Sequence, residues 1–232
     1  MIPTVRVVNQ STVVSEAEFQ TVVAACAKQV VRDFSTPWAV IADVIAGGIP
    51  SATDWIITIL DNSDQDGALG YHDNSQVPAG RVFAHTDQLY GLKWSVTLSH
   101  EILELLADPF LLNTAQIRKA TFVALEVCDP CEADEAGYEI DGVSVSDFVL
   151  PAWFGSPGPR MDFAGHITRS FDLMPGGYVS LWTPLKGWTQ KMARTRPGQA
   201  SRAEQGHRFA ERAARPRPAI DGQLSKLVTV HH

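Results

Sequence analysis

The stretch 94–108, WSVTLSHEILELLAD, limits what this chain can be more than any other. Trp94, Leu98, Ile102, Leu105 and Leu106 recur at the three- and four-residue intervals of an α-helix with one apolar face. Pro109 follows at once and cannot continue such a helix. A second stripe is polar: Thr97, His100, Glu101, Glu104 and Asp108. Residues four apart lie one turn apart on the same face, so His100 and Glu104 can aim at one common atom, with Glu101 beside them. An imidazole nitrogen and a carboxylate oxygen both ligate zinc and similar divalent ions. A neighbouring carboxylate suits a base acting on a water that such an ion activates. Asp108 stands in the last turn, where its charge opposes the helix dipole by about 0.3–1 kcal/mol. Eight helical residues rise about 12 Å, too far for Asp108 to share an ion with His100. Its expected partner is a backbone amide or a cation just beyond the helix.

The rest of the chain predicts an α+β fold. Residues 4–8 are a β-branched, strand-like run. Ser15 and Glu18 carry the spacing of a capping box. Phe19, Val22, Val23, Cys26, Val30 and Phe34 continue at helical spacing, which predicts a backing helix over 16–34, stopped by Pro37. Residues 38–46 and 55–60 have the composition of buried strands, divided by the breaker GGIPSATD. DNSDQDG at 61–67 is a polar turn, because no glutamate stands at the twelfth position that a calcium loop requires. Two short strands are expected at 68–72 and 81–85, then a helix over 88–108, and a strand or short helix at 121–128. Asp141-Gly142, between 138–140 and 143–145, signals a two-residue hairpin. From Pro151, aromatics, glycine and proline predict loops with one more short strand.

The run His100-Glu101-Ile102-Leu103-Glu104, HExxE, resembles the HExxH motif of the zincin metallopeptidases, with glutamate in place of the second histidine. The resemblance extends over residues 1–130: a backing helix, strands that end in an edge strand, then the active-site helix. In the thermolysin-like branch a glutamate ligand follows the motif on a separate segment. Glu126, 22 residues after Glu104 in ALEVCDP, stands at that kind of distance, with Asp129 as the alternative. The resemblance thus implies a zincin-like α+β domain with a mixed twisted sheet. His100, Glu104 and Glu126 would be the ligands and Glu101 the general base. Zinc is the first expectation for the ion; a site of two carboxylates and one histidine also suits manganese, iron or calcium. The edge strand would hold a peptide or protein substrate, with His72 or His85 facing the site. The implied activity is a hydrolase, a metalloprotease. The departure at Glu104 equally suits a scaffold without catalysis, a structural protein such as a virion component.

Charge divides the chain. Residues 1–185 carry 9 basic and 23 acidic side chains, a net −14, while residues 186–232 carry 10 and 3, a net +7. An acidic body with a basic tail is not the profile of a dedicated nucleic-acid binder. The expected division is a domain over 1–186, loop-rich at its C-terminal end, and an extended basic arm over 187–232. Within the arm, 187–218 would dock on neighbouring subunits or on further copies of the chain. The N-terminus lacks a signal-type apolar run, and no stretch approaches the roughly 18 apolar residues of a membrane span. A cytoplasmic chain without membrane contact is therefore expected. Cys128 and Cys131 form a CxxC pair that suits redox chemistry or half a zinc site. His166 and Tyr178 are later residues suited to stabilising an oxyanion. His231-His232 stay outside the functional reading.

Overall fold

The computed structural model describes residues 2–65, 67–195 and 217–218. Strand β1 (Thr4–Asn9) alternates so that Val5 and Val7 fall on one buried face. Ser15 caps helix α1 (Glu16–Gln29) by accepting the Glu18 amide at 3.2 Å. The Glu18 carboxylate turns away from that cap: its Oε1 accepts the Trp94 indole N–H at 2.7 Å.

Helix α1 runs through a π-helical turn, Val30–Phe34, into the short helix α2 (Ser35–Trp38). The wide turn brings the Ser35 hydroxyl onto the Val30 carbonyl at 2.8 Å. Pro37 falls in the first turn of α2, where a missing N–H is tolerated. Ala39, at φ 53°, then reverses the chain. The strand expected over 38–46 is therefore confined to β2 (Asp43–Ala46).

β1 lies between β2 and β3 (Trp55–Leu60), parallel to both. β3 pairs in parallel with β5 (Ala79–Phe83), and β4 (Gly70–Asp73) closes that edge antiparallel to β5. The order is β2-β1-β3-β5-β4, a mixed sheet. The strand expected to reach residue 85 stops at Phe83, because the Asp61 carbonyl accepts the amides of His85 and Thr86 at 2.9 and 3.1 Å. Those bonds start helix α3 (Ala84–Leu89), and Gly91 at φ 69° then turns the chain, so the helix expected over 88–108 begins only at Trp94. Helix α4 (Trp94–Ala107) packs beside β4, β5 and α1. Val5, Val7, Ile57 and Ile59 of the sheet share one core with Phe19, Val23 and Cys26 of α1 and Leu98, Ile102 and Leu105 of α4.

Beyond α4 come β6 (Asn113–Arg118) and β7 (Thr121–Ala124). Next is a hairpin of β8 (Tyr138–Ile140) and β9 (Val143–Val145), turned by Asp141 at φ 51° and Gly142 at φ 81°. That pair of positive φ values is what a two-residue hairpin turn demands. Between Pro151 and residue 195 two strands form where one was expected: β10 (Tyr178–Thr183) and β11 (Gly187–Met192). They join β7 and β6 in a second sheet, and β12 (Arg217–Pro218) pairs in parallel with β6. The segment expected to be an arm from 187 thus opens as β11. Its residues 196–216 and 219–232 lie outside the described residues.

Candidate metal centre

All residues of α4 are buried. Its polar stripe faces the interior, under β4 and the segment that follows β7. Gly70 permits the first of these contacts. A Cβ there would lie 2.8 Å from Thr97 Cγ2 and 3.0 Å from Glu101 Cγ, so only glycine lets β4 come this close to the helix. Two hydroxyls of the helix are tied down. Thr97 donates to Asp87 Oδ1 at 2.9 Å, and Ser99 donates to Gln29 Oε1 at 2.7 Å while accepting the Ser146 amide at 2.9 Å.

His100, Glu101 and Glu104 make up the chemical part of the stripe. His100 Nε2 lies 3.2 Å from Glu104 Oε2 and 3.5 Å from Asp129 Oδ1. Glu104 Oε1 accepts the Cys128 amide at 3.2 Å. His100, Glu104 and Cys128 offer three ligand atoms within 4.8 Å of one another; so do His72, Glu101 and Glu104. Two donors on one tetrahedral ion with bonds of about 2.0–2.2 Å lie about 3.3–3.6 Å apart, close to the separations around His100 Nε2. The chain therefore carries buried His/Glu/Cys triads able to chelate a metal, and the donor chemistry fits a divalent ion.

The electrostatics agree. Burial works against a charged imidazole at His100, but Glu104 and Asp129, with Glu101 behind them, outweigh it and raise its pKa well above 6.5. Burial first, then the Glu104 carboxylate, pushes the Cys128 thiol well above its ordinary value. Protons thus balance the cluster when no ion does, and a divalent ion would replace them.

His72 and Asp108 frame this centre. A carbonyl can only accept, so His72 Nε2 carries the proton that it shares with the Asp108 carbonyl at 3.3 Å. Its Nδ1 is left 3.5 Å from Glu101 Oε2. The Asp108 carboxylate accepts the amides of Leu112 at 3.0 Å and Asn113 at 3.1 Å, just past the helix end.

Glu126 is buried in the stretch after β7 and belongs to neither triad. Asp129 is the residue placed against His100. It opens a 3-10 turn, Asp129–Cys131, against which Gly177 packs so closely that a Cβ would strike the Asp129 and Pro130 carbonyls. His85 sits in α3 with its Nδ1 2.9 Å from Asn62, not on a strand facing the centre. Tyr178 is buried in β10. Cys128 and Cys131 are free, buried thiols, and Cys128 joins the triad as a possible sulfur donor. His166 lies in a third group, with Asp147 and Asp162. Neither aspartate stands in a recognisable motif. Asp162 and His166 do stand four apart, but Asp147 joins them only through the fold.

No helix among the described residues is long and apolar enough to cross a membrane. Compared with protein-family models, with curated proteins and with solved structures, the chain matches none.

Proposed function

We propose that this chain is a zincin-like, metal-dependent hydrolase that cleaves peptide bonds. Its ion would be held by His100 and Glu104, with Asp129 as third ligand in preference to Glu126. The observation that carries this reading is the inward stripe of α4: His100 Nε2 stands 3.2 Å from Glu104 and 3.5 Å from Asp129, and Glu101 is on the same face. The antiparallel strand β4, last on its side of the sheet and in contact with α4, supports it further, as a place where an extended peptide could be held by strand addition.

An ion in this centre would polarise a substrate carbonyl and make a water more acidic. Glu101 would accept a proton from the attacking water and pass it to the leaving nitrogen as the C–N bond breaks. His72 is held on the Asp108 carbonyl through Nε2, with its Nδ1 3.5 Å from Glu101 Oε2. The 2% exposure of Glu101 favours a second reading, in which the same ion only stabilises a scaffold whose basic arm binds neighbouring subunits.

Elemental analysis and a peptide-hydrolysis assay on the purified chain separate these readings. His100→Ala and Glu104→Ala should each lose about one metal equivalent relative to wild type. Glu101→Gln should keep the metal and abolish hydrolysis. Full metal in both ligand variants overturns the centre. Unchanged hydrolysis in Glu101→Gln overturns the base, and metal without hydrolysis in wild type selects the scaffold.

A further inference from the structure

The stretch after β9 holds a second cluster that the centre on α4 does not use. Asp147 and Asp162 are both 0% exposed. Backbone bonds lock their two segments together: Leu150 donates to the Met161 carbonyl at 2.7 Å and Phe163 to the Phe148 carbonyl at 2.9 Å. One oxygen of each carboxylate anchors the loop that follows. Asp147 Oδ1 accepts the Ala164 amide at 3.0 Å, and Asp162 Oδ1 accepts the Ile167 amide at 2.9 Å. The second oxygens converge on one imidazole: His166 Nδ1 lies 3.4 Å from Asp147 Oδ2 and 3.6 Å from Asp162 Oδ2. Asp162 Oδ2 also accepts the His166 amide at 2.7 Å, which fixes the residue in place.

Two independent features point to a cation here. The first is spacing. Separations of 3.4 and 3.6 Å exceed the about 2.7–2.9 Å of a charge-assisted hydrogen bond and match the about 3.3–3.6 Å between donors on one tetrahedral ion. The second is charge. Two carboxyl groups sit side by side out of water, and the ion pairs among the described residues give them one shared ionisable partner, the single imidazole of His166, and no lysine or arginine. The nearby Arg160 is engaged elsewhere, donating to the Phe163 carbonyl at 3.0 Å and lying over the Phe163 ring. Buried carboxylates are retained where a cation compensates them.

We propose that Asp147, Asp162 and His166 form a second binding site for a divalent transition-metal ion, sharing no residue with the centre on α4. One imidazole nitrogen and two carboxylate oxygens suit zinc, manganese or iron(II). The His166 side chain is 35% exposed, so an ion can enter from solvent and keep water as a further ligand. Bound there, the ion clamps the loop around residues 162–167 onto the stretch that leaves β9.

The test uses the full chain, stripped with chelator, loaded with zinc, dialysed, and measured for zinc content and thermal unfolding. Wild type should hold about two equivalents, and His166→Ala about one, with a smaller rise in melting temperature on zinc addition. His166→Gln, which keeps a polar side chain of similar size, should lose the same equivalent and so guards against a folding defect. His231 and His232 are common to every arm and cancel in the difference. Equal zinc in wild type and both His166 variants overturns the proposal. One equivalent that disappears in the His166 variants but persists in His100→Ala supports this site and removes the centre on α4; the opposite pattern removes this site alone.

Discussion

Helices α1 and α4 have the same length, 14 residues each, and obey different rules. α1 has a serine cap, Glu16 and Glu18 in its first turn and Lys28 in its last, the arrangement a helix dipole favours. Its polar face is exposed, and Lys28 reaches Asp141 at 2.8 Å. α4 begins at Lys93 with no side-chain cap, has no acidic residue in its first turn and no basic one in its last, and is buried on every side. Yet α4 is the helix that carries a histidine and two glutamates into the interior. α1 follows its local propensities. α4 is held by what covers it and by what its polar stripe binds, and such breaches of local rules concentrate where a protein does its chemistry.

The contrast breaks most clearly at His100. In the chelator-stripped chain, His100→Ala leaves Glu104 and Asp129 buried without the imidazole between them. Removing one member of a buried charged group costs about 3–5 kcal/mol. On α1, Gln20→Ala removes only an exposed hydrogen bond to Glu16 at 2.7 Å, and should shift stability by no more than about 0.5 kcal/mol. Urea unfolding of both variants measures the difference. Comparable losses in the two would mean that the stripe of α4 is no more demanding than a solvated face.

A smaller effect tests the cover over α4. Gly70→Ala forces a methyl group into Thr97 and Glu101 where β4 meets the helix. Overpacking of this kind costs about 1–3 kcal/mol. The displaced strand should also move Glu101, so metal-dependent hydrolysis should fall further than stability alone explains. Hydrolysis that simply tracks the folded fraction would show that β4 and Glu101 are not coupled.

How far the sequence revealed this arrangement differs in the same way between the two helices. Ser15 and the apolar spacing after it announce α1, and Asp141-Gly142 announces its hairpin, because cap and turn chemistry act over a few residues. The spacing of 94–108 likewise announces α4 as a helix with two stripes. It could not announce that the polar stripe is buried, because the covering groups come from β4 and from residues 128–147. The same limit hid the partnership of Asp147 with Asp162 and His166, and placed Cys128 among small buried residues rather than beside His100 and Glu104. The strand expected over 38–46 went wrong locally instead. Its apolar content suits a strand, but the left-handed Ala39 and the π-helical turn before it belong to the end of a helix. β6 escaped notice because NTAQIR lacks the apolar alternation of a strand with one solvated face.

The smallest effects are in pH dependence, where the two regions should differ in sign. At the entry to α1, the hydroxyls of Ser11 and Thr12 hold the Asp61 carboxyl down at about 2, against an ordinary 3.8. A lowered folded-state pKa gives stability that is fully present above about pH 4 and lost as pH falls through about 2. Asp61→Asn should therefore lower stability at neutral pH and flatten the acid limb, so that variant and wild type converge as pH falls through about 2. His100 works in the opposite direction. Burial opposes its charge, but Glu104 and Asp129 raise its pKa well above 6.5. In the stripped chain its contribution is full below about pH 6.5 and fades as pH rises through the raised value. His100→Ala should remove that slope, in a window below the further loss that the buried thiols add above about pH 9, where the unfolded chain ionises first and Cys26 in the folded chain is pushed up to about 12. An ion reverses the sign at α4, because a ligating imidazole must give up its proton, so stability of the loaded chain should rise with pH across neutrality. Urea midpoints at a series of pH values, with and without metal, check both limbs. A loaded chain whose midpoint falls from pH 6 to 8 as steeply as the stripped one would mean that the ion does not sit on His100, and would leave α4 with a buried ion cluster in place of a metal centre.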